Sequence, residues 1–533
     1  MKKLPLGIQN FREIASGDYV YIDKTRYIYA MLNDGAKCYF LSRPRRFGKS
    51  LLLDTIGEVF SGEKELFKGL WIHDSDYCFE KHPVIRLDMS SIANGSTEIF
   101  IEALTDDLRI RIMDEGFDIP DNFPSIMFKR LILAMYKKYS QKIVVLIDEY
   151  DMPILDRIDN LNAAHSNRQV LRMFYGILKS MDRYLRFTFI TGVTKFSKTS
   201  IFSGLNNLFD IRLSLKFSNI CGITIDDLNS YFGSHLGHVA SLESFKHYES
   251  VYSEILAWYD GYSWDGETRV INPFSLLNFF AQERFSGYWY SSGTPAFLLG
   301  LIKKNPDRYS NYKSFEITES MLDSVDIDKI TVAPLLFQTG YLTIKEIPLS
   351  CGEPMYILDI PNNEVRQALN VHIISALTEI DDVATGQMRM AVHRALHSGD
   401  LPGILEILRG FFASIPYELH VDLEAYYHSI FYAFMSALGF DLDVEVSVAR
   451  GRVDAILELD DKVYIMEMKY CKCLPDSSAE QKRNLFDKAL GEAMEQIDDK
   501  GYAAKYQGSG KAINKAAFVF LGRGDIEMRY ETI

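Results

Sequence analysis

The segment Ser42-Arg43-Pro44-Arg45-Arg46-Phe47-Gly48-Lys49-Ser50 lies between a short apolar run and a helical pattern. In that setting consecutive backbone N–H groups curl around a phosphate at a helix N-terminus. Gly48 permits the turn, Lys49 reaches the β- and γ-phosphates, and the Ser50 hydroxyl ligates Mg²⁺. Against the general pattern G-x-x-x-x-G-K-[ST] the first glycine is missing, because Arg43 stands there. Arg43, Arg45 and Arg46 make the loop strongly cationic, which favours an anion. A basic surface loop ending in Gly-Lys-Ser would read the same way, so a second pattern has to decide. Asp148 and Glu149 end the apolar run IVVLI. An acid there holds the hydration shell of magnesium, and a following Glu polarises the attacking water. Strand, loop, helix and then a strand ending in Asp-Glu, in that order, predict a P-loop site for ATP and its hydrolysis. Asp151 reads as a helix N-cap, with a further ligand as the alternative. Thr191 and Thr194 close the next strand, where a hydroxyl either touches the γ-phosphate or merely ends a strand. Arg183, Arg186 and Arg212 are equal candidates for an arginine finger, and none is assigned.

A second constellation lies in GRVDAILELDDKVYIMEMKY, residues 451–470. Both flanks of Asp460-Asp461 alternate as strands do, which predicts a hairpin. A two-residue turn there sets Asp454 directly opposite Glu467, with Lys469 two residues on and on the same face. Opposed Cβ atoms lie roughly 4.5–5.5 Å apart, and two carboxylates at that range repel unless a cation sits between them. Mg²⁺ suits such oxygen ligands. Lys469 would orient a metal-bound water and stabilise charge developing on a phosphate. An exposed hairpin with a polar wet face is the plain alternative. The spacing D-x₁₂-E-x-K resembles the PD-(D/E)XK nuclease signature, with Val453 where that signature has Pro. The resemblance implies Glu424, on the preceding helix, as a further acidic metal ligand and Gln496 as a polar neighbour. It also implies contact of Tyr502 and Tyr506 with the backbone of a substrate.

These groups need elements to hold them. Residues 1–215 alternate between strands (37–42, 83–90, 141–149, 186–194) and helical patterns, which predicts a parallel α/β sheet. Residues 216–403 have helix-like spacing at 226–236, 248–259, 272–285 and 294–304. They read as a mostly helical connector, with a winged-helix-like element near 321–360. Residues 404–533 read as a separate α/β domain: helix 424–438, strands 442–448, 452–459 and 462–469, a helix near 483–499 and a strand at 516–522.

The stretches RPRRFGKSLLLDT, LIDEYD, YVYIDKT and WYDGY together resemble bacterial AAA-ATPase-like proteins fused to a PD-(D/E)XK nuclease domain, over nearly the whole chain. Arg43 is normal for that group. The resemblance implies an α/β multidomain chain whose C-terminal domain is restriction-endonuclease-like. It implies ATP and Mg²⁺ as cofactors, with Mn²⁺ an option at the nuclease site. It further implies DNA or RNA as partner and an opening segment that closes over the adenine. YIDKT and WYDGY carry no chemistry that their residues reveal.

Bulk properties set limits. The chain has 533 residues, enough for three or four domains at roughly 100–200 residues each. A net charge of −14 excludes a uniformly basic nucleic-acid binder, so any such contact uses a local basic patch. Six cysteines without a C-x-x-C pair argue against structural zinc and disulfides and fit a cytoplasmic setting. The opening MKKLPLGIQNFRE lacks a signal-peptide core, and no apolar run is long enough to span a membrane. The leading expectation is an ATPase that controls a metal-dependent nuclease, with homo-oligomerisation left open. The rival is a nucleotide-gated switch whose C-terminal fold only binds. A nucleotide kinase has no support, because nothing marks a second-substrate pocket.

Overall fold

Five strands, β1 (Cys38–Ser42), β2 (Val84–Asp88), β3 (Ile143–Asp148), β4 (Leu185–Gly192) and β5 (Leu208–Asp210), form the N-terminal sheet of the computed structural model. All pairs are parallel and the order is β2-β3-β4-β1-β5. The structure describes all residues except 121, 159, 197–200, 203, 204, 206, 247–249, 292–314, 323–330, 351, 379–381, 417–419, 421, 441, 449, 450, 474–476, 509, 523 and 524. β1 and β3 are buried along their whole length, as their unbroken apolar runs require when helices cover both faces. Because the strands run the same way, the exits of β1, β3 and β4 lie along one edge of the sheet, where ligands of open α/β sheets bind.

By packing, the described residues form two units. One holds residues up to 291 together with 315 to Val365, and the other runs from Arg366 to Ile533. Most of the stretch that reads as a connector therefore belongs to the first unit, and the expected boundaries at 215 and 403 do not fall between units. The reason is apolar. Helices Ile225–Ser241, Val251–Tyr259 and Pro273–Gln282 bury Phe232, Tyr259 and Phe279 in one core with Val20 of the opening segment. The first unit also holds strands β6 (Phe315–Thr318), β7 (Thr343–Glu346), β8 (Leu349–Ser350) and β9 (Glu353–Asp359) in an antiparallel sheet, with helix Val332–Thr339 before β7. The helix expected at 294–304 lies outside the described residues.

In the second unit, helices Leu401–Ala413 and Glu424–Ala437 precede β10 (Asp443–Val448), β11 (Gly451–Glu458) and β12 (Lys462–Cys471). Helix Ala479–Asp499 then crosses over to β13 (Ala512–Leu521), which is parallel to β12, and β14 (Asp525–Thr532) closes the sheet. The sheet order is β10-β11-β12-β13-β14. The crossover helix starts with a capping box, Ser478 and Gln481 satisfying each other's backbone N–H.

The WYDGY stretch gains a physical reading. Gly261 has φ +101°, and a Cβ there would collide with the Pro361 carbonyl oxygen. Past it, the Tyr262 ring meets Phe47 of the loop at 4.7 Å. Only glycine fits that conformation and that approach. Gly261→Ala should lower stability by about 2 kcal/mol or more. A thermal melt checks it, and an unchanged midpoint would show that the backbone yields.

Candidate active sites

β1 feeds the loop 43–48, and helix Lys49–Val59 leaves it. Gly48 stands at the helix N-cap with φ +87°, and Arg46 also takes a positive φ of +67°. Lys49 is 3% exposed; its Nζ donates to the Arg43 and Pro44 carbonyls, both at 3.1 Å, and lies 3.5 Å from Glu149 Oε1. Asp148 Oδ1 accepts from the Glu149 N–H at 3.0 Å and from the Thr191 hydroxyl. Ser50, in the first turn of the helix, is half-buried. Arg46 is exposed, with its guanidinium 4.9 Å over Phe274, and Arg45 donates to Met152 Sδ at 3.4 Å.

Three residues do something other than their sequence suggests. Arg43 is 1% exposed and lies inside the fold. Its Nη1 donates to the Ser42 carbonyl at 2.9 Å and the Arg212 carbonyl at 3.0 Å, and its guanidinium stacks 4.0 Å over Trp264. Asp151 makes no side-chain cap bond to the short helix after it. Its carboxylate instead accepts from the Thr194 N–H and hydroxyl, both at 2.6 Å, and from the Val193 N–H at 3.2 Å, clamping the exit of β4 to that of β3. Thr194 is thus occupied away from any phosphate. Among the finger candidates, Arg212 is buried on Asp210, Nη2 to Oδ2 at 2.9 Å. Arg183 and Arg186 stand before and at the start of β4, the end opposite the loop.

The YIDKT stretch is a brace. Asp23 accepts from the Thr25 N–H at 2.8 Å and the Trp71 N–H at 2.6 Å, and Lys24 pairs with Asp227 at 2.7 Å. Tyr21 places its hydroxyl 3.2 Å from Thr55 on the loop helix. A cavity of about 110 Å³, largely apolar, opens beside Gly48 between Tyr21, Phe47, Leu51, Cys221 and Ile223.

In the second unit the facing pairs run from Glu458↔Val463 to Ala455↔Met466, and the Leu459 N–H donates to the Lys462 carbonyl at 2.8 Å. The two-residue turn is therefore at Asp460-Asp461. Beyond Met466 side chains replace the ladder. Asp454 Oδ2 accepts from the Met468 N–H at 2.8 Å, and Glu424 Oε2 accepts from the Tyr470 N–H at 3.1 Å. His428 Nε2 donates to the Met468 carbonyl at 3.3 Å and stands 3.8 Å from Asp454 Oδ2. Glu467 is 0% exposed. Its Oε1 accepts from Gln496 Nε2 and lies 3.5 Å from Lys469 Nζ, while its Oε2 is buried with no hydrogen-bond partner. Tyr502 and Tyr506 are core residues, packed with Val453 and Ile465, and do not face a substrate.

Residues 5–202 match the family described as predicted AAA-ATPase, and residues 422–529 match the PD-(D/E)XK nuclease superfamily. An Azotobacter chroococcum mcd 1 protein, described as an uncharacterized protein in the vnfD 5′ region, is 36% identical over 522 residues, 96% of this chain and 95% of that one. The chain belongs to the AAA-ATPase-like proteins that carry a PD-(D/E)XK nuclease superfamily domain. A chain of the Drosophila ORC bound to poly(dA/dT) DNA and Cdc6 matches at 11% identity and TM-score 0.21, over 56% of this chain and 42% of that one, too loosely to carry an argument.

The electrostatics of this AAA-ATPase-like protein centre on buried carboxyls. Burial pushes Glu149 up, and the nearby Lys49 ammonium pulls it back. Burial lowers Arg43 to about 10. Burial, and next the charge of Asp454, raise Glu467 to about 7. Among the described residues no group of three or more His, Cys, Asp or Glu is placed to hold a metal, and Glu424 is engaged on Tyr470. Mg²⁺ needs only one or two carboxylates beside water and phosphate, and the orphaned Glu467 Oε2 near Asp454 fits that demand. In the sequence His428 carries little weight, because it does not cluster with His82, His165, His238 or His247. Its position four residues after Glu424, on the same helix face, is the available signal.

Two measurements bear on these sites. Arg43→Gly completes the general loop pattern, yet it should cost about 2–4 kcal/mol of stability and weaken ATP binding, because it removes buried hydrogen bonds and a stacked cation. Chemical denaturation and an ATP titration check both; parental values would make Arg43 dispensable. Glu467 is raised in the folded state, so its contribution to stability is present below the ordinary carboxylate range and is lost as pH rises through about 7. In metal-free buffer Glu467→Gln should match the parent near pH 4.5, the ordinary glutamate value, and exceed it by roughly 1–3 kcal/mol near pH 8. Mg²⁺ should then stabilise the parent and leave the variant unmoved. A pH-independent difference would rule this out.

Proposed function

We propose that the first unit binds and hydrolyses ATP and that its nucleotide state controls a metal-dependent nuclease in the second unit, acting on DNA or RNA in the cytoplasm. The observation that carries the nuclease reading is the buried Glu467 Oε2, left without a partner beside Asp454. A module that only binds has no use for that arrangement. Asp454 and Glu467 would hold Mg²⁺ or Mn²⁺, which neutralises phosphate charge and acidifies bound water. Lys469 orients the water and balances charge on the phosphate. Gln496 and the Met468 backbone fix the two carboxylates. In the first unit Lys49, Arg45 and Arg46 bind the phosphates. Ser50 and Asp148 would hold Mg²⁺, and Glu149 takes up the proton of the attacking water once phosphate releases it from Lys49. Thr191 fixes Asp148. The apolar cavity beside Gly48 suits the base. The net charge of −14 favours the rival reading, a switch that binds without cutting, and the same assay separates the two.

Purified protein with Mg²⁺ or Mn²⁺, a panel of DNA and RNA, and ATP present or absent should show nucleotide-dependent cleavage. Glu149→Gln should retain ATP with turnover reduced by about 100-fold or more. Lys469→Ala should keep metal-dependent stabilisation and lose cleavage. Metal stabilisation of the parent with no cleavage under any condition would leave the switch in place of the nuclease.

A further inference from the structure

The loop is also held from a direction that ATP chemistry does not explain. Trp289, buried, donates its indole N–H to the Arg45 carbonyl at 3.2 Å. Its ring packs on Tyr341 at 5.1 Å, and the Gly340 backbone comes so near the loop that a Cβ there would stand 2.7 Å from Pro44 Cβ. The Trp289 backbone N–H donates to Glu364 Oε1 at 2.8 Å, and the Ser275 hydroxyl donates to Glu364 Oε2 at 2.7 Å. Glu364 is 0% exposed and both of these bonds come from neutral donors. A carboxyl in such a place costs stability that an apolar residue would not, so its use is geometric. It fixes Trp289, and Trp289 fixes the carbonyl next to Arg46, whose positive φ needs outside support. Glu364 is also the second residue of helix Asn363–Leu377, the helix on which the chain passes from Val365 in the first unit to Arg366 in the second.

We propose that Trp289 and Glu364 are positioning residues of the phosphate loop, and that they tie its phosphate occupancy to the first turn of helix Asn363–Leu377. The proposal rests on ATP binding at the loop and adds how that binding is felt elsewhere. Phosphate redraws the hydrogen bonds of residues 43–48. The indole bond to Arg45 strengthens or weakens with them, and Glu364 moves with Trp289. By linkage the effect is mutual: whatever fixes the helix start also fixes the loop.

Trp289→Phe keeps the ring and loses the donor. It should raise Kd and KM for ATP by about three- to tenfold, the worth of one hydrogen bond, and leave kcat near the parent value, since Lys49 and Glu149 are untouched. Glu364→Ala should do the same. Glu364→Gln should recover most of the affinity, because its amide oxygen still accepts from Trp289 and its NH₂ can meet Ser275. Hydrogen exchange gives the second readout. ATP with Mg²⁺ should alter exchange at the start of helix Asn363–Leu377 in the parent and not in Trp289→Phe. A parent that does not bind ATP would remove the ATPase reading itself. A parent that binds ATP, with variants of equal affinity and an unchanged exchange response, would overturn the relay alone. If Trp289→Phe does not fold, the Glu364 pair and the parent's own exchange response still decide.

Discussion

A guanidinium buried beneath the phosphate loop is the contact on which the first unit turns. Arg43 gives up bulk water, and that loss is tolerable only because the Ser42 and Arg212 carbonyls and the Trp264 face are in place around it. The same contacts tie the exit of β1 to the chain just past β5 and to the segment after WYDGY. A glycine at this point lets a loop bend. An arginine makes the bend depend on distant parts of the chain. Residues 216–291, held to the first unit by their apolar core, thereby also wall the loop with Trp264, Phe274 and Trp289.

The two sites share one electrostatic plan. Each holds a glutamate, half-buried Glu149 or buried Glu467, with one oxygen 3.5 Å from a lysine and the other buried without a hydrogen-bond partner. Each lysine lies beside the loop or strand that would meet phosphate. An unpaired buried oxygen costs stability, and both sites keep one. The folds around them are unrelated, a parallel sheet and a mixed one, so the likeness is not inherited from a shared fold.

Much of this was legible in the sequence where local pattern governs. The apolar runs at β1, β3 and β4 and the alternation around Asp460-Asp461 locate their elements closely, because burial on both faces or on one leaves a direct trace. Strand β5 has three residues, too few for a pattern. Strand β14 does alternate, with Ile526, Met528 and Tyr530 against Glu527, Arg529 and Glu531, but the sequence reading stops at the strand before it. The roles of Arg43 and Asp151 were hidden for a different reason. Both are polar residues in motifs that suggest ligands, and their partners, the Arg212 carbonyl and Thr194, lie far along the chain. Tyr502 and Tyr506 misled because an aromatic residue with a hydroxyl suits a core and a binding face equally well. The helices after 216 were seen, but their attachment to the first unit rests on Val20, which no local window contains.

The chain has four tryptophans. Trp71 is exposed and Trp258 half-buried, whereas Trp264 lies under the Arg43 guanidinium and Trp289 bonds the Arg45 carbonyl. Indole emission responds to charge and hydrogen bonding at the ring, and these two fluorophores meet one of each at the loop. The fold thus contains its own optical reporter of the loop, without an added label, over the emission of Trp71 and Trp258.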